Sequence, residues 1–131
     1  MKVFLSYARQ DQEFARELAT RLTDEGLEVW FDDWHVNPGD NVAKLTGKAL
    51  DAADAMIVVI SPAAAEDSRV RDEIRFALAK PRFEGLLIPV ILKPADKMPW
   101  ILQTMNVVRA TKNLPQTVQR ITDALQPAVA R

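Results

Sequence analysis

Two carboxylates stand side by side in the segment RVRDEI, residues 69–74, where Asp72 and Glu73 have arginines nearby. The pattern predicts the first turns of a helix, so the acids either catalyse a reaction or belong to a solvated helix face. Other catalytic chemistry is limited by composition. The chain has no cysteine and one histidine, His35, which excludes thiolate nucleophiles and Cys-based or His-rich metal sites and nearly excludes Ser-His catalysis.

The composition is typical of one folded soluble domain. The chain has 131 residues, of which 48% are hydrophobic and 27% charged, and its net charge is -1 with both signs interspersed. No stretch resembles a signal peptide or approaches the roughly 20 apolar residues of a membrane span. We therefore expect one domain over residues 1–131, in the cytoplasm, without nucleic-acid or membrane partners.

Five segments are predicted to form strands. Three are continuous apolar runs, as in strands covered on both faces of a parallel sheet. They are KVFLS (2–6), AMIVVIS (55–61) and LLIPVIL (86–92), and the two weaker segments are EVWF (28–31) and NVVRA (106–110). Alternation of these strands with helices predicts a flavodoxin-like α/β domain with three layers, a five-stranded parallel sheet of order 2-1-3-4-5 and helices on both faces.

Apolar residues repeat at helical spacing between the strands. The first helix is expected to end at Gly26, and Asp40 or Asn41 is expected to cap the second. The apolar positions are Phe14, Leu18 and Leu22; Leu45, Ala49 and Ala52 or Ala53; and Val118, Ile121 and Leu125. The segment DDWHVNPGDN (32–41) is the longest turn-rich connection, and long connections in compact domains often carry function.

Three groups of residues lie at the ends of the first three predicted strands, at the edge of the sheet where ligands bind in open parallel sheets. They are Ser6, Tyr7, Ala8 and Arg9; Asp32, Asp33 and Trp34; and Ser61. The two serines can instead bind backbone, and the two aspartates can form a turn.

The tryptophans of this region are expected to differ in exposure. Trp30 is predicted to lie in the core, while Trp34 is predicted to be exposed, either as a surface on which a planar ring stacks or as an interface anchor. His35 is expected at the surface, and the sequence identifies no partner for it.

Helical geometry separates the two acids. The apolar stripe of their helix is predicted to comprise Val70, Ile74, Ala77 and Leu78. Asp72 points almost directly away from the centre of the stripe, whereas Glu73 lies roughly 75° from it, at a rim that faces a crevice. A competing interpretation is structural, since acids in a first turn stabilise the helix dipole and Arg69 with Glu73 forms an i,i+4 pair.

Four segments occur in a specific order and spacing along the chain: VFLSYARQD, GLEVWFDDWHVNPGD, ADAMIVVISP and VRDEI. Together they resemble the successive boxes of a bacterial TIR (Toll/interleukin-1 receptor) domain of the NAD+-consuming type. The resemblance spans essentially the whole chain and implies the same flavodoxin-like fold.

The resemblance implies hydrolysis of NAD+ at the bond between nicotinamide and ribose, without a cofactor. The family's catalytic glutamate matches Glu73, and a carboxylate can stabilise the oxocarbenium character that this reaction develops on ribose. Nicotinamide leaves as a neutral molecule, so no general acid is needed, and the other product is ADP-ribose or a cyclic ADP-ribose. By the same resemblance, the substrate is bordered by Ser6, Tyr7, Ala8, Arg9, Asp32, Trp34, Ser61 and Arg69.

Arg69 departs from the family pattern, which has Trp four residues before the glutamate. This arginine is expected either to contact a phosphate of the substrate or to pair with Glu73. Pairing would keep the carboxylate ionised and also occupy it.

Two other functions stay open at this point. One is a non-catalytic TIR module that recruits other TIR domains, and the other is a nucleoside-processing enzyme that uses Glu73 but rejects NAD+. The resemblance also implies self-association through the loop 32–41, a fused or associated sensor domain, and a role in bacterial immune defence. The chain would then be the N-terminal effector domain of a longer protein.

Overall fold

A computed structural model describes residues 1–129, which form a five-stranded sheet of order β2-β1-β3-β4-β5. The strands are β1 (Lys2–Ser6), β2 (Glu28–Trp30), β3 (Ala55–Ile60), β4 (Leu87–Ile91) and β5 (Val108–Arg109). All neighbouring strands pair in parallel. The predicted fold class and strand order are confirmed, although β5, which pairs only with β4 at the sheet edge, is shorter than predicted.

Helices connect the strands. They are α1 (Gln12–Asp24), α2 (Asp32–His35), α3 (Val42–Ala52), α4 (Pro62–Ala65), α5 (Ser68–Leu78) and α6 (Leu114–Val129). Short 3-10 turns occur at Arg9–Asp11, Pro81–Phe83 and Trp100–Thr104. Across residues 1–129, no helix combines the length and apolar character needed to cross a bilayer.

Local sequence signals explain several helix ends. Gly26 follows α1 with φ 94°, a left-handed conformation that glycine adopts at little cost. The side chain of Asn41 accepts a hydrogen bond from the backbone N–H of Lys44 at 3.1 Å and so caps α3. Both signals were predicted from the sequence.

Apolar side chains cover both faces of the sheet. One layer of the core includes Leu18 and Leu22 of α1 and Ile121 of α6, and the other includes Val70 and Ile74 of α5. Every residue of β3 is buried because this central strand has helices on both sides. The carboxyl ends of β1, β2 and β3 therefore meet at one edge, close to the N-terminal part of α5.

Two local predictions differ from the structure. The loop 32–41 begins with the helical turn α2, which is closed by a hydrogen bond from Val36 N–H to the Asp32 carbonyl at 2.8 Å. Leu78 was predicted in the apolar stripe of α5, but it is 39% exposed because it is the last residue of the helix.

Candidate active site

Glu73 lies on the inner side of α5 with only 6% of its surface exposed. Its Oε1 accepts a hydrogen bond from Ser6 Oγ, at the end of β1, at 2.6 Å. The carboxyl group is therefore more deeply buried than the rim position predicted by helical geometry. In contrast, the side chain of Asp72 is 68% exposed and pairs with Arg75 at 2.6 Å, which confirms that Asp72 faces solvent.

The environment of Glu73 makes its carboxyl group harder to ionise. Burial raises the pKa of Glu73 to about 7 from its ordinary value of 4.5, even though the hydrogen bond from Ser6 and the charge of Arg69 act in the opposite direction. At neutral pH this carboxyl group is therefore much nearer its midpoint of ionisation than an ordinary glutamate. Such a carboxyl group can change its charge state in the physiological range.

A hydrogen-bonded network of Tyr7, Asp32 and Arg69 lies beside Glu73. The Tyr7 hydroxyl donates to Asp32 Oδ1, and Arg69 donates from Nη1 to Asp32 Oδ2 at 2.9 Å and from Nη2 to the Tyr7 carbonyl at 3.0 Å. Burial, followed by the hydrogen bond to Asp32, raises the pKa of the Tyr7 hydroxyl. This network joins the ends of β1 and β2 to α5.

Arg69 does not form the ion pair with Glu73 that its spacing suggests. Among the described residues, its guanidinium group pairs with Asp32, 37 positions away in the sequence. The carboxyl group of Glu73 accepts its hydrogen bond from Ser6 instead. The Arg69 charge still lowers the pKa of Glu73. The influence of Arg69 on Glu73 is therefore electrostatic and does not depend on contact.

The network separates Glu73 from an open cleft. The space around Glu73 measures about 10 Å³, and the cleft outside it measures about 220 Å³. Tyr7, Asp32 and Arg69 line both spaces. Because a volume of 10 Å³ holds at most about one water molecule, the space around Glu73 is too small for a larger ligand in this conformation.

The other predicted site residues lie at different distances from this centre. Arg9 is exposed and lines the cleft, together with Gln12 of α1, which was not among the predicted site residues. Ala8 is fully buried in the core. Trp34 is 44% exposed, as predicted, and its ring meets Phe31 edge-on with centroids 5.1 Å apart.

Ser61 is 1% exposed and has structural partners. Its Oγ donates a hydrogen bond to Asp11 Oδ2 and accepts one from the backbone N–H of Ala64 at 3.1 Å, which caps α4. The structure thus brings Ser6, Tyr7, Asp32, Arg69 and Glu73 together, with Arg9 at the cleft. Neither Ser61 nor Ala8 borders the cleft or the space around Glu73, and their predicted contact with substrate stays a prediction.

Trp30 and Thr46 also border the space around Glu73, although neither was among the predicted site residues. Trp30 was predicted to lie in the core, but it is only partly buried and packs against one layer of the core. Its ring stacks on His35 with centroids 4.6 Å apart. His35 is exposed, as predicted, and the structure identifies its partner: its Nδ1 lies 2.8 Å from the Phe31 carbonyl oxygen.

A family model described as "TIR domain" matches residues 3–125. The chain belongs to the TIR domain family. This TIR domain is 35% identical over 91 residues to the NAD(+) hydrolase TcpA of Theionarchaea archaeon (strain DG-70-1), an alignment that covers 67% of this chain and 27% of that relative. The domain is also 32% identical over 78 residues to the 2' cyclic ADP-D-ribose synthase BtTIR of Bacteroides thetaiotaomicron, covering 59% of this chain and 27% of the relative.

The chain thus spans 27% of the length of each of these two curated relatives. Among solved structures, the TIR domain of the Toll-related receptor TRR-2 from Hydra magnipapillata has a TM-score of 0.77 at 19% identity, covering 98% of both chains. A TIR-STING receptor from C. gigas has a TM-score of 0.77 at 23% identity, covering 93% of this chain and 38% of the other. At these identities the likeness shows the fold alone.

Proposed function

We propose that this TIR domain cleaves NAD+ at the bond between nicotinamide and ribose, with Glu73 as the catalytic carboxylate. The observation that carries the proposal is a buried carboxyl group, with its pKa raised to about 7, at the sheet edge beside a polar cleft. A perturbed acid in such a place is a marker of a functional site. The names of the relatives, an NAD(+) hydrolase and a cyclic ADP-ribose synthase, support the same substrate.

The ionised form of Glu73 would stabilise the positive charge that develops on ribose as the bond to nicotinamide breaks. The leaving nicotinamide takes the bonding electron pair and departs neutral. Water then adds to the ribose carbon and loses a proton, which gives ADP-ribose, or a hydroxyl group of the ADP-ribosyl unit adds instead and gives a cyclic product. Ser6 would hold the orientation of the carboxylate through its hydrogen bond.

Access to Glu73 would require separation of Arg69 from Asp32. Once released, the Arg69 guanidinium group would be available for a phosphate oxygen of NAD+, and Arg9 lines the same cleft. Asp32 begins the loop 32–41, so contact of this loop with a second copy of the domain could separate Asp32 from Arg69. We propose activation by self-assembly in this way, in the cytoplasm, as the effector part of a bacterial defence protein with a sensor domain.

A non-catalytic interaction module is the second candidate function. The closed network favours it, because Arg69 bridges Asp32 and Tyr7 and leaves only about 10 Å³ around Glu73. In this case the exposed Trp34 and the loop that carries it would serve recognition of other TIR domains without turnover.

The test is to incubate the concentrated domain with NAD+, with and without a crowding agent, and to measure nicotinamide release. We expect release by the wild type and by Asp72→Ala, whose side chain faces solvent, and none by Glu73→Ala. Chromatography of the second product distinguishes ADP-ribose from a cyclic form. If the wild type releases no nicotinamide under any assembling condition, the proposal is contradicted. A protein that cleaves nucleosides but not NAD+ would instead be a nucleoside-processing enzyme.

A further inference from the structure

We infer that Trp30 is a substrate-binding residue, whose indole N–H donates a hydrogen bond to an oxygen of the nicotinamide-riboside half of NAD+. The inference rests on the proposed function and adds a residue to that site. It starts from an atom without a partner: Trp30 Nε1 is buried and has no hydrogen-bond acceptor among the described residues. A buried unpaired donor is unfavourable in a native protein and needs an explanation.

The location of Trp30 connects it to Glu73. In the parallel pairing of β1 and β2, Trp30 lies opposite Phe4, and Ser6 follows on the same face of the sheet two residues later. Ser6 is the residue that binds Glu73. Trp30 and Glu73 also border the same 10 Å³ space.

Neither nearby carboxylate accepts a hydrogen bond from Trp30 in this structure. Asp32 accepts from Tyr7 at one oxygen and from Arg69 at the other, and Glu73 Oε1 accepts from Ser6. The indole group can only donate, so its partner must be an acceptor. An incoming ligand can supply one when the network opens.

NAD+ offers suitable acceptors in the half that would approach Glu73. Its nicotinamide carries a carboxamide carbonyl, and its ribose carries two hydroxyl groups. The Trp30 ring is held in position because it stacks on the His35 ring. The two centroids are 4.6 Å apart, and the angle between the ring planes is 22°. Stacking on His35 makes Trp30 a preorganised donor, which lowers the entropic cost of binding.

The first test is the variant Trp30→Phe, which keeps an aromatic ring and removes the donor. We expect kcat/KM for NAD+ to fall about tenfold, the usual scale of one lost hydrogen bond, with the melting temperature unchanged or higher because an unpaired donor is gone. Trp100→Phe is the matched control, since Trp100 is 74% exposed and lines neither the cleft nor the space around Glu73. A Trp30→Phe variant with the kcat/KM of an active wild type overturns the inference.

The second test does not need turnover. The indole N–H signals of ¹⁵N-labelled wild type are followed by NMR during separate titrations with nicotinamide and ADP-ribose, and Trp30→Phe identifies the Trp30 signal. A downfield shift with nicotinamide assigns the acceptor to the carboxamide, and a downfield shift with ADP-ribose assigns it to the ribose. A Trp30 signal that moves with neither product at the highest soluble concentration overturns the inference.

The two proposals fail in different ways. If the wild type releases no nicotinamide, the catalytic proposal fails, while the NMR titration still decides whether Trp30 meets these ligands. If the wild type is active and both Trp30 tests give the overturning result, only the role of Trp30 fails.

Discussion

The inner and outer faces of α5 give two adjacent acids different properties. On the outer face, Asp72 is 68% exposed at its side chain and pairs with Arg75 one turn away. On the inner face, Glu73 is 6% exposed, is held by Ser6 and has its pKa raised to about 7 by burial. Consecutive side chains on a helix point in directions about 100° apart, which is enough to place one in solvent and the next in the protein interior.

The two environments also differ in energy. An exposed ion pair such as that of Asp72 and Arg75 contributes about 0.2–1 kcal/mol. Burial of Glu73 instead opposes ionisation, so the ionised form destabilises the folded state. A site with this cost is expected where the charge has a chemical use.

The largest expected difference between the faces is in catalysis. Glu73→Gln keeps the size of the side chain and an oxygen that can accept from Ser6, but it removes the negative charge. Nicotinamide release should fall by about a hundredfold to a thousandfold, the usual loss when one group that stabilises the transition state is removed. Initial rates at saturating NAD+ measure this loss, and a variant that retains most of the wild-type rate contradicts the catalytic role.

The same variant should stabilise the protein at alkaline pH. Glu73 has a pKa of about 7 in the folded state against an ordinary 4.5, so the folded state binds more protons between these values and the free energy of unfolding falls as pH rises through them. The loss reaches about 3 kcal/mol above pH ~7.5 and is absent in Glu73→Gln. Thermal unfolding of both proteins from pH 4 to pH ~8.5 tests this difference, and a pH-independent difference contradicts it.

Removal of the Arg69 charge should shift the pH profile of activity. With Glu73 acting as a carboxylate, kcat/KM rises with pH through about 7. Arg69 lowers the pKa of Glu73, so Arg69→Gln should move the midpoint to higher pH. The matched control is Arg71→Gln, an exposed arginine on the same helix. A midpoint that stays in place in Arg69→Gln would show that Arg69 does not affect the ionisation of Glu73.

The smallest effect is expected on the outer face. Asp72→Asn removes the exposed pair with Arg75 and should change the free energy of unfolding by at most about 1 kcal/mol, with unchanged nicotinamide release. Denaturant unfolding and initial rates measure both quantities. If Asp72→Asn lost activity as fully as Glu73→Gln, the distinction between the two faces would be wrong.

The fold could be predicted because its signals are local. Continuous apolar runs identified the central strands, and Gly26 identified a helix end. A cap was predicted at Asp40 or Asn41, and the structure has Asn41 in that role. Alternation of strands and helices then led to the strand order, since parallel strands need right-handed crossovers.

The site could be predicted only in part because its contacts connect distant segments. Helical geometry separated Glu73 from Asp72, but the hydrogen-bond partner of Glu73 is Ser6, 67 positions away in the sequence. The pairing of Arg69 with Asp32 likewise needs the register of three strands and a helix. For the same reason Trp30 looked like an ordinary core residue, since nothing in the sequence shows that its N–H lacks an acceptor.

Asp32 and Asp33, the first residues of the loop 32–41, are held from two sides. Asp32 pairs with Arg69 of α5, and Asp33 pairs with Arg16 of α1, each at 2.9 Å and each partly exposed. Both contacts are weakened as salt is added, because dissolved ions reach these partly exposed charges and the screening length becomes shorter. The closed state of this TIR domain is therefore expected to be sensitive to salt, with the resting population of open molecules rising as ionic strength increases.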